Sequence, residues 1–468
     1  VSRRLLVVGG GITGLTAGYR LAVDNPEFDV TVLEASPRAG GYLQTGLLDD
    51  PVLDELPIDA GADAFLVRVP WAEDLCHELD LADELVSPSA RQASLWLDGT
   101  LRPLPTPNVL GIPLDPATVA DGLLEPEDLR LVAGDGIPAM ALEPGADASV
   151  GSVVRACVGN QVFERLVDPL LGGVNAGRAD DLSCAVMAPQ LLGAARSPDG
   201  MLAGLRRSVA GTDPTAPVFR SPRGGMERLV DALTSVLGDR FQTGVPVTGL
   251  SRGDGPDARW LVSTPTGTRA ADAVVLAIPA HIAADLVASI DADAGTLLAE
   301  WQHASVALAT IAYDRADLEV DPAQSGFLVG RSEGLLMTAC SFAGSKWAHL
   351  DHPERTVLRV SCGRIDDTRP SGFSDKALLE ALRGDLATTL GVEAPPTAVR
   401  LGRFPDSLVQ FPVGHSNRIN QLDGLLADSA PGVLVAGSVR TGVGIPACIR
   451  SGTEAARQAT ELATELSS

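Results

Sequence analysis

Short apolar runs, each closed by glycine or a turn, alternate along this chain with stretches of helical periodicity. The first is "RLLVVGGGITGLTAGYRLA" (4–22), a run of strand length cut by glycines and followed by a helical pattern. A second strand, "DVTVLEA" (29–35), comes next. The far end of the chain has the same form: a strand "GVLVAG" (432–437), a glycine loop "SVRTGVG" (438–444) and a helical pattern from about Ile445. Between the ends, the pattern predicts a glycine-led helix over 225–237, two short strands, paired strands at 258–264 and 271–280, and a helix near 281–288.

Two blocks remain. Residues 85–212 open with a hairpin signal, "SLWLDGTLRPLP", with Asp98-Gly99 at its turn, and then become mostly helical; 150–174 is apolar at roughly helical spacing. Residues 293–424 are strand-rich, with "SVALATIAYD", "GFLVGRS", "LLMTACSFAG" and "TVLRVSCGR". Pro and Gly clusters at 102–116 and 143–152 predict loops. No apolar stretch reaches the ~18 residues needed to span a bilayer, and the first run reads as a strand rather than a signal peptide.

At 468 residues, the chain exceeds the size at which a single core usually divides, so two or three domains are expected. A net charge of −24 argues against nucleic acid, whose phosphates need a basic surface. The two lysines, Lys346 and Lys376, stand among arginines, a bias that reads as genomic base composition. Six scattered cysteines with no CxxC pair form neither a disulfide framework nor a zinc site, which points to a reducing cytoplasm and no metal.

Candidate chemistry begins at Gly9, Gly11 and Gly14, a G-x-G-x-x-G between strand and helix. The first glycine permits a tight turn, the second lets a pyrophosphate approach the backbone, and the third lets helix and strand close together. A phosphate there meets the unpaired N–H groups of the first helical turn, with Ile12 and Thr13, at the positive end of the helix dipole. Glu34, followed by Ala35, ends the second strand 20 residues after Gly14, where a carboxylate can accept hydrogen bonds from ribose hydroxyls. Arg38, Gly40, Gly41 and Thr45 then form R-x-G-G-x-x-x-T.

This last segment resembles the second fingerprint of the flavoproteins that include amine oxidases, phytoene desaturases and protoporphyrinogen oxidases. The resemblance implies FAD rather than NAD, with Arg38 contributing a cation near the diphosphate. It also implies that the C-terminal strand and helix return to the first strand–helix–strand unit. Gly437 then ends the strand, and backbone N–H groups near Val443, Gly444 and Ile445 face the flavin N1–C2=O edge. Ser438 stands where the family often has an acidic residue. Cys448 raises a covalent flavin link, but it reads as an unlinked thiol, so FAD is expected to be non-covalent. Val247 matches a valine whose backbone lies against the adenine.

Further stretches resemble the FAD-dependent protoporphyrinogen/coproporphyrinogen III oxidases: "DAGADAFLVR" (59–68), whose Gly61 and Ala62 run past the flavin, "VDPLLGGVNAGRADDLS" (167–183), "TACSFAGSKWAHL" (338–350), "LVQFPVGHSNRI" (408–419) and "GVGIPACIRSG". This implies an α/β fold: a discontinuous Rossmann-like FAD-binding domain (1–84, 213–292 and 425–468), a mainly helical domain (85–212) and a mixed-sheet substrate domain (293–424). The implied reaction takes six electrons from a porphyrinogen and passes them to O2, giving H2O2. Coproporphyrinogen III is expected over protoporphyrinogen IX, with a transient contact to the next haem-pathway enzyme. Arg91 and Arg68 are the expected propionate cations, and Gly173 the backbone close to the macrocycle. No nucleophile set is expected. Lys346 is expected at the surface or the pocket mouth, and His415 reads as a packed histidine rather than a base. The rivals are a flavin amine oxidase, which the 4% aromatic content disfavours, a carotenoid desaturase, which "GVGIPACI" does not suit, and a non-catalytic flavin-bound partner in haem synthesis.

Overall fold

Five parallel strands form the central sheet, in the order Phe241–Gln242, Asp29–Leu33, Arg4–Val8, Ala273–Leu276, Val433–Val435. A computed structural model describes residues 3–53, 55–134, 143, 145–213, 216–255 and 258–465. Val7, Val32, Val274 and Leu276 are fully buried, as expected of a parallel sheet covered on both faces, whose strands read as unbroken apolar runs. The helix Ile12–Asp24 follows the first strand, and Ile445–Glu465 lies along it. Their approach requires Gly452: a Cβ there would stand 2.3 Å from the carbonyl oxygen of Thr13. The last forty residues thus complete the fold that the first forty begin.

The strand expected at 271–280 is divided. Ala258–Thr264 pairs with Gly249–Gly255 and with Gly267–Ala271 in a separate antiparallel sheet. Ala273–Leu276 leaves that hairpin and enters the parallel sheet between Arg4–Val8 and Val433–Val435. The physical reason is burial: all four residues of 273–276 are buried, whereas Gly267 and Thr268 are exposed.

A second, seven-stranded sheet runs Ala398–Val409, His303–Asp314, Arg355–Cys362, Met337–Phe342, Gln324–Val329, Gln92–Leu97, Thr100–Pro103. It is antiparallel except where Gln324–Val329 runs parallel to Gln92–Leu97, so the sheet is mixed. The Asp98-Gly99 turn forms as expected, with φ of 53° and 69° as a type I′ turn requires. Its hairpin, however, extends this sheet, although it falls in the 85–212 block expected to be helical. Ala398–Val409, with arginines, glycine and proline among its apolar residues, carries no strand pattern and was not expected. One face of the sheet packs Ile311, Phe327, Leu358 and Val360 against Leu378, Leu382 and Leu386 of the helix Asp375–Leu390. On the other face Val306, Leu308, Leu328, Ala339 and Ser361 are only half-buried.

The helical part packs Val153, Val154, Leu166, Leu191 and Leu205 into its own core. Its pattern at 150–174 resolves into Val150–Val158, a break at Gly159 (φ +94°), Asn160–Val162, and wide π-type turns over Phe163–Gly172 that admit Pro169. The expected loop at 143–152 ends early, because Ser149 caps a helix by accepting a hydrogen bond from the Ser152 N–H at 3.1 Å. The expected loop at 102–116 carries two short strands, Asn108–Val109 and Ile112–Pro113. Among the described residues, no helix is long and apolar enough to cross a membrane.

Candidate active site

The three glycines of the first turn serve different ends. A Cβ on Gly9, at φ +110°, would stand 2.4 Å from the carbonyl oxygen of Ala277, and one on Gly14 would stand 1.9 Å from that of Gly9. Both are needed by the fold itself. Gly11 is not: its φ of −75° suits any residue, and nothing lies within 4 Å of the Cβ position. The space over Gly11 is therefore open, at the start of a helix with no side-chain cap. Backbone donors facing an open space at a helix N-terminus fit a diphosphate.

Two further segments close around this turn. Gly40 N–H donates to Gly10 O at 2.8 Å, and a Cβ on Gly41 would lie 3.2 Å from the Gly11 Cα. Arg38 does not stand free as a cation. It donates to Ala39 O (2.6 Å), Leu43 O (2.9 Å) and Gly41 O, and lies 3.6 Å from Glu227, so it ties the turn that carries Gly40 and Gly41. Glu34 accepts from Gly10 N–H (2.6 Å) and Ser36 N–H (2.7 Å), which fixes the carboxylate and leaves its other lone pairs for hydroxyl donors. Ala35 is exposed beside it. Gly244 and Val245 donate to Ser36 O and Glu34 O, both at 2.8 Å, which brings 244–247 alongside Glu34. Among the described residues, the Val247 N–H meets no backbone acceptor.

The C-terminal loop meets the same helix. Gly437 has φ +118°, a conformation that favours glycine, and donates to Ser451 Oγ at 2.9 Å. Ser438–Thr441 makes one helical turn within the expected loop, and Val443 and Gly444 lead into Ile445. Cys448 is half-buried, and burial pushes its thiol up to about 11, with Thr13 bonding it in the opposing sense.

The 59–63 segment is held from behind by a polar cluster. Arg359, which is 5% exposed, donates to Asp59 O (3.1 Å) and Gly61 O and pairs with Asp63 at 2.7 Å. Lys346 pairs with Asp63 at 3.1 Å, and Trp347 Nε1 donates to Asp63 at 3.1 Å. Burial opposes charge on Asp63, but Lys346 and Arg359 override it and hold the carboxyl well below its usual range. Lys346 is therefore an internal ion-pair partner, not the surface or mouth cation expected. Asp59 accepts from Thr45 Oγ1 (2.6 Å) and Met226 N–H (2.9 Å), and burial pushes it up to about 6. The backbone of Gly61 faces Tyr42 O and the Phe404 ring, with Tyr42 and Phe404 edge-on at 6.1 Å, while Ala62 is exposed.

The half-open sheet face lies beside this segment and ends at the 173–177 loop. A Cβ on Gly173 would meet nothing within 4 Å, and Val174 is 62% exposed. The loop is fixed by Ile365 N–H to Ala176 O (2.7 Å), Gln410 Nε2 to Asn175 O (3.1 Å) and Arg331 to Gly177 O. Arg68 and Arg91 are exposed on either side of 216–219: Val67 N–H donates to Val218 O at 3.0 Å, and Arg91 Nη1 to Ala216 O at 3.4 Å. His415 is 1% exposed, accepts from Trp301 Nε1 at 3.3 Å, and stacks edge-on with Phe411. Burial lowers its pKa, as for a packed histidine. Arg359 and Asp63 were not read from the sequence. The signal was an arginine set between apolar residues in "TVLRVSC", where no surface strand is expected.

The flavin containing amine oxidoreductase family matches residues 12–460. Among similar proteins, the coproporphyrinogen III oxidase of Bacillus subtilis is 30% identical over 98% of both chains, and that of Mycobacterium leprae is 33% identical over 96% of both. The solved structure of an Exiguobacterium sp. 255-15 protein, provisionally named a protoporphyrinogen oxidase, superposes with a TM-score of 0.87 at 30% identity over 99% of both chains. Cyclohexylamine oxidase from Brevibacterium oxydans shares the fold alone, with a TM-score of 0.70 at 16% identity. With a family match that spans nearly all of it and relatives at 30–33% identity over almost its full length, this chain belongs to the flavin containing amine oxidoreductases and is a flavin-dependent oxidoreductase.

Proposed function

We propose that this enzyme oxidises a porphyrinogen to the porphyrin in haem synthesis, favouring coproporphyrinogen III over protoporphyrinogen IX. The observation that carries the reading is identity of 30–33% to coproporphyrinogen III oxidases over almost the whole chain. The half-open apolar sheet face supports it, because a flat macrocycle needs an apolar wall with a few cations for its acid arms.

In this reading Gly9, Gly11 and Gly14, with the Ile12 and Thr13 N–H groups, hold the FAD diphosphate. Gly40 and Gly41 close over it, and Arg38 adds charge while holding their turn. Glu34, beside Ala35, takes the ribose, and the Val247 backbone takes the adenine. Gly61, Ala62, Gly437, Val443, Gly444 and Ile445 border the flavin ring. When bound, FAD supplies the redox chemistry: six electrons and six protons leave the substrate in three pairs and reduce three O2 to three H2O2. The chain's residues bind and orient. Arg359 holds the Gly61 backbone in place, Gly173 leaves room for the macrocycle, and Arg91 and Arg68 meet propionates. The Cys448 thiol stays protonated at neutral pH, so FAD is bound without a covalent link. The FAD domain is 1–84, 213–292 and 425–468, with 85–212 and 293–424 around the substrate. The enzyme works in the cytoplasm and hands its porphyrin to the next haem-pathway enzyme in a transient contact.

The test is porphyrin fluorescence under air with FAD-loaded protein and each porphyrinogen in turn. Both should be oxidised, coproporphyrinogen III with the higher kcat/KM. Rates no greater than spontaneous autoxidation for both would overturn the reading.

A further inference from the structure

At the end of the half-open sheet face, next to the 173–177 loop, lies a guanidinium that the fold does not use up. Arg364 follows the strand Arg355–Cys362 and is half-buried. Its Nη2 donates to Val329 O at 3.0 Å, while its Nε is buried with no partner. Three carboxylates stand near it, and all three are held by other arginines. Arg331 takes Asp168 (2.7 Å) and Asp366 (2.6 Å), and Arg369 takes Asp367 (2.7 Å). Among the described residues, none forms an ion pair with Arg364. Burial and the facing Arg331 together lower its pKa, a sign that its charge is poorly compensated in the fold.

Its placement relates it to the reaction site. The next residue, Ile365, donates to Ala176 O at 2.7 Å, so Arg364 adjoins the loop that carries Gly173. Arg359, on the strand that Arg364 follows, grips the Gly61 backbone. Gly363, at φ +99°, turns the chain between the end of the strand at Cys362 and Arg364. This placement suits a tetrapyrrole lying along the sheet face, with one acid arm directed toward the 173–177 loop.

We propose that Arg364 is an inner anchor for one propionate of the porphyrinogen, binding its carboxylate where the 173–177 loop meets the sheet face. This rests on the porphyrinogen reading above. The arriving carboxylate supplies the charge that the neighbouring aspartates have given to Arg331 and Arg369. The contact is remote from the carbon that is oxidised, so it belongs equally to the ground and transition states.

The experiment compares wild-type, Arg364→Leu and Arg364→Lys holoenzymes on coproporphyrinogen III and on its tetramethyl ester, both in the same detergent. R364L should raise KM for the tetra-acid by about tenfold to a hundredfold, the worth of a hydrogen-bonded charge pair, with kcat within about twofold. It should leave KM for the ester unchanged. R364K keeps the charge but loses the fork, and should fall between. An unchanged KM for the acid in R364L with normal flavin absorbance overturns the proposal, as does an equal rise for acid and ester, which marks a structural role. Should R364L not fold, R364K carries the same acid-against-ester comparison. A wild-type enzyme inert toward the acid overturns the porphyrinogen reading itself, and the two failures are thereby told apart.

Discussion

Gly11→Val and Gly14→Ala should have opposite consequences, although the two glycines lie in one turn. At Gly14 a methyl group would stand 1.9 Å from Gly9 O, 3.0 Å from Gly9 C and 3.2 Å from Ala277 Cβ. Two of these are backbone atoms that cannot rotate away, so the helix must move off the sheet. Overpacking of this kind costs about 1–3 kcal/mol or more, which lowers the apoprotein's unfolding midpoint by roughly 2–12 °C. At Gly11 the Cβ position is clear to 4 Å and the backbone is extended at φ −75°, ψ 175°, which valine adopts readily. The G11V apoprotein should therefore melt within about 1 °C of wild type. Its defect should appear only with FAD. Hydrogen bonds to a charged group are worth about 1.5–3 kcal/mol each, and the loss of one or two weakens binding roughly tenfold to about twenty-thousandfold. Thermal melts of both apoproteins and quenching of FAD fluorescence separate the effects. Wild-type FAD affinity in G11V would remove the diphosphate from this turn, and a G11V apoprotein as unstable as G14A would make Gly11 structural.

Acid precipitation of the holoenzyme should release all flavin to the supernatant, because the Cys448 thiol, raised to about 11, is not a thiolate at neutral pH; flavin left on the polypeptide refutes this. Asp59→Asn should stabilise the protein above pH 7, as measured by thermal melts. Burial raises Asp59 from 3.8 to about 6, so its contribution is fully present below about pH 4 and lost as pH rises through 6, a difference of up to ~3 kcal/mol that asparagine avoids while still accepting from Thr45 and Met226. An advantage for D59N that does not widen with pH contradicts the assignment. Arg91→Ala should raise KM for coproporphyrinogen III about tenfold at unchanged kcat in a steady-state assay, and an unchanged KM would return Arg91 to the surface.

The first strand–helix–strand unit was legible because its pattern is local. The spacing of Gly9, Gly11 and Gly14 and the position of Glu34 describe one turn and the strand beside it, and both lie where the pattern put them. The return of 433–435 and 445–465 was legible only through resemblance, since nothing in an apolar run states which strand it will pair with. Pattern failed where partners are distant. The run 271–280 was read as one strand because the break between Ala271 and Ala273 depends on two different sheets. The strand Ala398–Val409 was hidden by Arg400 and Arg403, whose heads leave the sheet for Ile58 O and Asp375. Arg359 and Lys346 looked like ordinary cations, and only the fold brings both to Asp63.

The position of Val433–Val435 at the edge of the parallel sheet has a bearing on how the protein is made. This strand leaves the ribosome about 425 residues after Arg4–Val8, a delay of between about 20 and 90 s at roughly 5–20 residues per second. From the emergence of Ala273–Leu276 until that of Val433–Val435 the outer edge of the sheet is unpaired, and the helix Ile12–Asp24 still lacks the helix that Gly452 seats against it. Until then the nascent chain holds an open apolar sheet edge, a template for pairing with another chain. A chain cut back before Val433 loses both the edge strand and the helix Ile445–Glu465 that closes on Ile12–Asp24.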